Sequence, residues 1–285
     1  MVRIRNLHFG YSRRVLQLEN LNLDLRRGRI YGLLGKNGAG KSTLLKNIVG
    51  LAFPQSGTCE VDGHAAAQRR PATLQDLFFL PEDVKAPAAT AHELAASTGV
   101  FYPRFDHGAF GAYLAELDVP AKTRLDKLSF GQQKKALIAF ALATNTGLLV
   151  LDEPTNGLDI PSKAQFRKLV ARALGDERCV IISTHQVRDL DSLIDTVLVL
   201  HERRIVLNHT IDELAEQLSF GSLAPGADAT GVLYQEASVR GQQVIRANEA
   251  GAFSRVDLEV LFNALTTPQS AVAAYLATHR HEPVF

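Results

Sequence analysis

The sequence predicts an α/β protein whose sheet is largely parallel. Three observations carry that reading. Arg29 to Leu34 is an apolar run that feeds a glycine-rich loop, and a helix pattern follows from Ser42 to Val49. Leu148 to Leu151 and Cys179 to Ser183 are two further short apolar runs. Between those two, Phe166, Leu169, Val170, Ala173 and Leu174 recur at helical spacing. Continuous apolar runs are strands buried on both faces, and strands alternating with amphipathic helices build a parallel sheet.

The elements follow in order. Val2 to Phe9 and Val15 to Leu25 alternate apolar and polar residues, as half-buried strands do, and Gly28 sets a turn after them. Gly50 is placed to stop the helix that starts at Ser42. From about Val84 the chain turns rich in alanine, glutamate and leucine, and Pro87, Gly99, Pro103 and Pro120 cut it into short helices. This is a helical insertion over about 84–146. It includes Gln132 to Ala143, which is apolar nearly all round after its first turn and so reads as a buried helix. Gly175 stops the helix that carries Phe166, and a further helix carries Val187, Leu190, Leu193 and Ile194. Thr196 to Leu200 and Ile205 to Leu207 read as a hairpin. Thr210 and Glu213 have capping-box spacing for a short helix to Leu218. The remainder, 219–285, reads as a small appended module behind a boundary near Leu218. Gly221 to Gly231 is its loop, Val232 to Glu236 and Gln243 to Arg246 its strands, and Val256 to Leu265 and Pro268 to Thr278 its helices.

Composition removes several classes of function. At 285 residues and 46% apolar content, the chain can bury a sizeable core. With 31 basic and 30 acidic side chains it is neither a uniformly basic nucleic-acid binder nor a polybasic membrane-surface binder. Cys59 and Cys179 are too few for a disulfide scaffold or a structural zinc site, and they fit a reducing compartment. No apolar run approaches the roughly 20 residues of a spanning helix. Met-Val-Arg-Ile-Arg-Asn at the start is no secretory signal, so a cytosolic protein is expected.

Three motifs carry chemistry. Gly35-Lys36-Asn37-Gly38-Ala39-Gly40-Lys41-Ser42 fits G-x-x-x-x-G-K-[ST] between a predicted strand and a predicted helix, the context that a phosphate loop requires. Its glycines let backbone N–H groups close on phosphate oxygens at a helix N-terminus. Lys41 reaches the outer phosphates, and Ser42 offers its hydroxyl to Mg²⁺. Leu148-Leu149-Val150-Leu151-Asp152-Glu153 is a buried strand that ends in two acids and is broken by Pro154. Asp152 is placed for the Mg²⁺ site, and Glu153 to orient and deprotonate the attacking water. Leu128-Ser129-Phe130-Gly131-Gln132 opens the buried helix, and Ser129 with the free N–H groups there makes a second anion site. By spacing alone an N-cap serine with a spacer glycine is the favoured reading of that motif.

Taken together, these motifs resemble the nucleotide-binding subunit of ABC transporters, of the bacterial export-type subgroup, over about residues 1–218. The phosphate loop and acid strand match the family's Walker A and Walker B patterns. Leu128 to Gln132 resembles its Leu-Ser-Gly-Gly-Gln signature, in the right order. The resemblance implies a P-loop, RecA-like core with an antiparallel β subdomain and the inserted helical subdomain, plus the small α+β C-terminal module. It implies ATP and Mg²⁺ as the bound species. Tyr11 looks like the aromatic that stacks on adenine. Gly35, Asn37, Gly38, Gly40, Lys41, Ser42 and Thr43 would hold the phosphates. Ser129, Gly131 and Gln132 would hold the nucleotide of a second subunit. Asn156-Gly157-Leu158-Asp159 looks like the D-loop that crosses the dimer interface, and His185 like the switch histidine.

The chain departs from the family pattern at three places. Glu82 stands where a glutamine is usual, Phe130 replaces the first signature glycine, and Leu158 stands where a small residue is common. None removes a catalytic group. The resemblance further implies a homodimer that closes around two ATP molecules and drives separate transmembrane permease subunits, peripheral on the inner face of the cell membrane. Phe101-Tyr102-Pro103-Arg104-Phe105-Asp106 together with Glu82 looks like the subgroup paired with export permeases. The alternative is an ABC-type ATPase acting on ribosomes, on nucleic acid or on a membrane complex that it gates. A single nucleotide domain without heptads counts against the ribosome and nucleic-acid forms.

Overall fold

Period-two alternation builds the sheets. The structure is a computed structural model describing residues 1–279 other than 13, 84, 191, 225, 227, 228, 239, 240, 250, 252 and 253. Val84, where the helical insertion is expected to begin, therefore lies outside the described residues. In chain order the elements are β1 (Val2–Phe9), β2 (Leu18–Leu25), β3 (Arg29–Leu34), α1 (Lys41–Ile48), β4 (Ser56–Val61), β5 (His64–Ala65), α2 (Pro71–Gln75), β6 (Leu77–Leu80), α3 (Ala91–Thr98), α4 (His107–Glu116) and α5 (Phe130–Ala143). There follow β7 (Leu148–Asp152), α6 (Ile160–Ala173), β8 (Cys179–Thr184), β9 (Thr196–His201), β10 (Arg204–Thr210), α7 (Ile211–Gln217), β11 (Leu218–Leu223), β12 (Val232–Ser238), β13 (Gly241–Ala247), α8 (Leu258–Leu265) and α9 (Ala271–Thr278).

The central sheet has the order β10-β9-β3-β8-β7-β6. β6, β7, β8, β3 and β9 pair in parallel, and β10 closes the edge antiparallel to β9. β2, β1, β4 and β5 form a separate antiparallel sheet. The α/β fold expected from the sequence is the fold observed. Both faces of the central sheet are covered, and alternate residues divide between them. Ile30, Leu34, Leu149, Leu151, Val180, Ile182, Val197 and Val199 join the core cluster that also holds the buried side chains of α5 and α6. Tyr31, Leu33, Leu148, Val150, Ile181, Leu198 and Leu200 face α1 and the antiparallel sheet.

The C-terminal region adds a three-stranded sheet, β11-β13-β12, followed by α8 and α9. Its apolar side chains join the first core cluster without interruption. Leu214, Leu218, Ile245, Leu258, Leu261 and Leu265 pack in the same cluster as Leu190 and Phe166. Leu261 is 1% exposed, so Leu261→Ala is expected to cost about 2–5 kcal/mol. Denaturant unfolding checks this. One cooperative transition with a lowered midpoint is the expected result, and a separate early transition would mean that the C-terminal region unfolds by itself.

The structure differs from the sequence reading in several elements. Val187, Leu190, Leu193 and Ile194 are buried, but no α-helix carries them. Only a 3-10 turn forms at Val187–Asp189, and three-residue turns continue it from Val187 O to Leu190 N and from Leu190 O to Leu193 N. Ser192 at φ 69 cannot extend a right-handed helix, and Asp195 turns its carboxylate back to accept from Ile30 N. β2 begins at Leu18 rather than Val15: Val15 makes only an isolated bridge to Ser12, and Gln17 accepts from Tyr11 N. The stretch after Leu218 is a strand as far as Leu223, including Gly221, rather than loop from Gly221 onward. The hairpin β9-β10 and the capping box at Thr210 and Glu213 are as expected.

Candidate functional site

The parallel strands end together, and the chemistry gathers at those ends. After β3 the chain enters the glycine-rich loop and then α1. Gly40, the residue before α1, has φ 107, and its position supplies no side-chain cap to the first N–H groups of the helix. Those donors stay available to an anion. Lys36, Asn37 and Gly38 lie exposed at the crown of the loop, Gly35 is buried beneath it, and Ser42 is half-buried in the first turn of α1. Lys41 is 6% exposed and folds back under the loop, where Nζ donates to Gly35 O at 2.9 Å and lies 3.3 Å from Glu153 Oε1.

Glu153 follows directly on β7. Its φ of 45 is left-handed, a conformation that costs a non-glycine residue about 1–3 kcal/mol. Hydrogen bonds from Glu153 N to Ser183 O and Ser183 Oγ, both 3.1 Å, hold it there. The turn brings the carboxylate against two basic side chains. Oε1 lies 3.3 Å from Lys41 Nζ and 2.9 Å from His185 Nδ1. Oε2 is buried and has no hydrogen-bond partner among the described residues. Asp152, the last residue of β7, accepts from the Ser183 hydroxyl. Lys41, Asp152, Glu153 and His185, chosen from separate stretches of sequence, thus meet at one place.

Glu82 lies beyond the end of β6. Its Oε1 accepts from Asn156 Nδ2 at 2.7 Å, and its backbone O accepts from Lys134 Nζ at 3.0 Å. Lys134 stands on α5 and is 2% exposed. Burial pushes its pKa below the usual lysine value, while Glu82 first, then Asp152, Asp83 and Glu153, oppose that shift. Tyr11 is 65% exposed, sets its ring edge-on to Phe9 and brings its hydroxyl 3.4 Å from Thr43 Oγ1. An exposed ring beside the first turn of α1 is free to stack on a flat ligand.

The signature residues stand apart. Ser129 caps α5: its Oγ accepts from Gln132 N, and Gln132 Oε1 accepts from Ser129 N, each at 3.3 Å. Among the described residues no hydrogen bond or ion pair joins Ser129, Gly131 or Gln132 to Lys41, Ser42, Asp152 or Glu153. Asp159 caps α6 by accepting from Ser162 N at 2.9 Å, and the Ser162 hydroxyl and backbone N–H hold its carboxyl below the usual carboxylate range. Phe130, 57% exposed, lays its ring on Gly157. A Cβ at Gly157 would meet Phe130 Cε1 at 2.6 Å, and the residue has φ 80. Gly157→Ala is therefore expected to cost about 1–3 kcal/mol in thermal unfolding, and a Phe130→Ala background should recover only the part due to the ring. Leu158, 8% exposed, packs into the first core cluster.

Several residues that organise the site had no sequence signal. Ser183 reads as the end of an apolar run, yet it holds Asp152 at the end of β7 and the backbone of Glu153 just after it. Half-buried Lys163 joins the buried Thr155 and Asp189 in a network. Thr155 Oγ1 donates to Asp189 Oδ2 at 2.7 Å, and Lys163 Nζ donates to the same oxygen at 2.8 Å. That network ties α6 to the turn after His185. The thiols of Cys59 and Cys179 are buried and pushed up to about 12, as inert core cysteines are. No cluster of metal-ligating side chains occurs among the described residues.

In sum, the arrangement has an uncapped helix N-terminus, a lysine under a glycine-rich loop, and a carboxylate with one oxygen held by a lysine and a histidine and the other unpartnered among the described residues. That set can hold phosphate groups and take a proton from water. The family profile described as ABC transporter matches residues 18–156. The ABC transporter ATP-binding protein YtrB of Bacillus subtilis is 26% identical over 243 residues, covering 84% of this chain and 80% of the relative. The lantibiotic transport ATP-binding protein SrtF of Streptococcus pyogenes is 28% identical over 218 residues, covering 74% of this chain and 92% of the relative. Among solved structures, the dimeric structure of MJ0796, a bacterial ABC transporter cassette, superposes with a TM-score of 0.63 at 23% identity, over 74% of this chain and 98% of the other. The profile, the relatives and the shared fold agree with the geometry: residues 18–156 match the ATPase domain of ABC transporters, and over about three quarters of its length the chain is similar to ABC transporter ATP-binding proteins.

Proposed function

We propose that two copies of this chain close around two ATP molecules and drive separate membrane permease subunits in the export direction. The observation that carries the hydrolytic part is Glu153. Its Oε1 is held by Lys41 and His185 while Oε2 is buried without a partner. In this reading Oε2 takes the proton of the attacking water while Lys41 and His185 hold Oε1 in place. The same unpartnered oxygen, with Asp152 beside it, fits a site that admits a hydrated divalent cation. Ser42 and Asp152 would hold Mg²⁺, which when bound supplies charge neutralisation for the phosphates.

Lys41 and the N–H groups around Gly35, Asn37, Gly38, Gly40, Ser42 and Thr43 bind the phosphate oxygens, and Tyr11 stacks on the base. Glu82 and His185 stand beside the outermost phosphate. Ser129, Gly131, Gln132 and Asp159 make no contact with this chain's own phosphate loop among the described residues, which supports their use on the nucleotide of a second copy. Export is supported by the likeness of Phe101 to Asp106 and Glu82 to export-type subunits, and by SrtF, named a lantibiotic transport protein. Among the described residues no helix is long and apolar enough to cross a membrane. The chain would therefore reach one, on its cytoplasmic face, through the permease.

A tagged pull-down from detergent-solubilised native membranes tests this. Recovery of a protein with several spanning helices is the expected result. Recovery of ribosomes, nucleic acid or nothing would transfer the ATPase to non-transport work.

A further inference from the structure

We propose that Lys134 is a positioning residue that cancels the negative charge Glu82 adds to the nucleotide site, so that the site accepts a triphosphate. The inference rests on reading the site as an ATP site. Glu82 is an acid beside a pocket that must hold a polyanion. Among the described residues no cation lies within ion-pair distance of its carboxylate, whose Oε1 is instead held by the neutral Asn156. The compensating charge comes from behind. Lys134 is only 2% exposed, and its Nζ donates to Glu82 O at 3.0 Å.

Four carboxylates act on that ammonium: Glu82 most strongly, then Asp152, Asp83 and Glu153. Against them the structure sets two lysines. Lys41 is paired with Glu153 and would be drawn toward phosphate. Lys134 is buried on α5 and would stay where it is. A half-buried acid without a cation partner repels a phosphate placed beside it. A fixed buried ammonium beside it removes most of that repulsion, and burial of a lysine is otherwise costly enough to need such partners. The position also matters: α5 begins with Ser129 and Phe130, so one helix carries both the surface offered to a second copy and the charge that tunes its own site.

A double-mutant cycle on the full chain tests the pairing, with titration calorimetry of ATP in EDTA as the readout. EDTA removes Mg²⁺, so any metal ligation by Glu82 stays out of the measurement. Lys134→Met is expected to weaken ATP binding about tenfold, and Glu82→Gln to tighten it. Adding Glu82→Gln to Lys134→Met should bring affinity back to within about threefold of wild type. A role of Lys134 in packing alone would not be rescued by removing a charge from Glu82. A double variant no tighter than Lys134→Met, or a Lys134→Met protein as tight as wild type, overturns the proposal. Thermal unfolding checks that Lys134→Met folds. If it does not, Lys134→Gln, which keeps an N–H donor without the charge, takes its place in the cycle with the same expectations. Failure of the wild-type chain to bind ATP would instead overturn the ATP-site reading itself.

Discussion

Glu153→Gln should bind ATP at least as tightly as the wild type and hydrolyse it about 10²–10⁴-fold more slowly. The geometry gives both halves of that expectation. Glu153 Oε1 lies 3.3 Å from Lys41 Nζ and engages it. A neutral amide releases that lysine for phosphate and removes a buried negative charge beside it, so binding is kept or improved. The unpartnered Oε2 becomes either a poor acceptor or an N–H donor, and the proton of the attacking water has nowhere to go. Two copies should then accumulate as a dimer holding ATP, because the ligand that joins them is no longer consumed. Size-exclusion chromatography with Mg²⁺ and ATP, beside a phosphate-release assay, reads both. Turnover near the wild-type rate would remove Glu153 from the role of base.

Lys41→Ala should do the opposite, weakening ATP binding by about a hundredfold or more. The side chain does two jobs in the structure. Its ammonium donates to Gly35 O at 2.9 Å and so braces the loop from below, and it neutralises Glu153, whose side chain is 4% exposed. Removing it leaves a buried carboxylate without its lysine, next to the place where phosphates must sit. Calorimetric titration with ATP reads the loss directly. An affinity within a few-fold of wild type would mean that the backbone N–H groups of the loop carry the phosphate by themselves. The pair of variants is diagnostic because one loses turnover and keeps binding, while the other loses binding first.

What the sequence disclosed depended on how local the signal was. The phosphate loop, the buried strand of Asp152 and the capping box of Thr210 are contiguous, and each was legible from spacing alone. Lys41 and Glu153 were legible from their own motifs, but His185 only through resemblance, and three separate strands deliver the three residues. Lys134 was not legible at all. On a helix that is otherwise apolar, a lysine at its fifth position reads as part of a solvated first turn, and burial reverses that. The segment at Val187 to Ile194 misled for a related reason. Its apolar spacing is helical, but the side-chain bonds that shape it, Asp189 to Thr155 and Asp195 to Ile30, come from distant residues. Ser183 shows the same limit, because a serine ending an apolar run gives no hint that it holds two acids.

The placement of β3 has a consequence for synthesis. This strand delivers the phosphate loop, and it is made within the first eighth of the chain. Its sheet neighbours are β8 and β9, so that Arg29 pairs with Cys179 and Leu34 with Val199. A growing polypeptide therefore emerges with its phosphate loop unsupported on both sides until more than half of the chain has followed. Contacts of such long sequence separation are slow to form. An N-terminal fragment that contains the entire glycine-rich loop but stops before β8 is not a small nucleotide binder. It is an aggregation-prone intermediate, with the unpaired edges of β3 exposed to whatever strand arrives first.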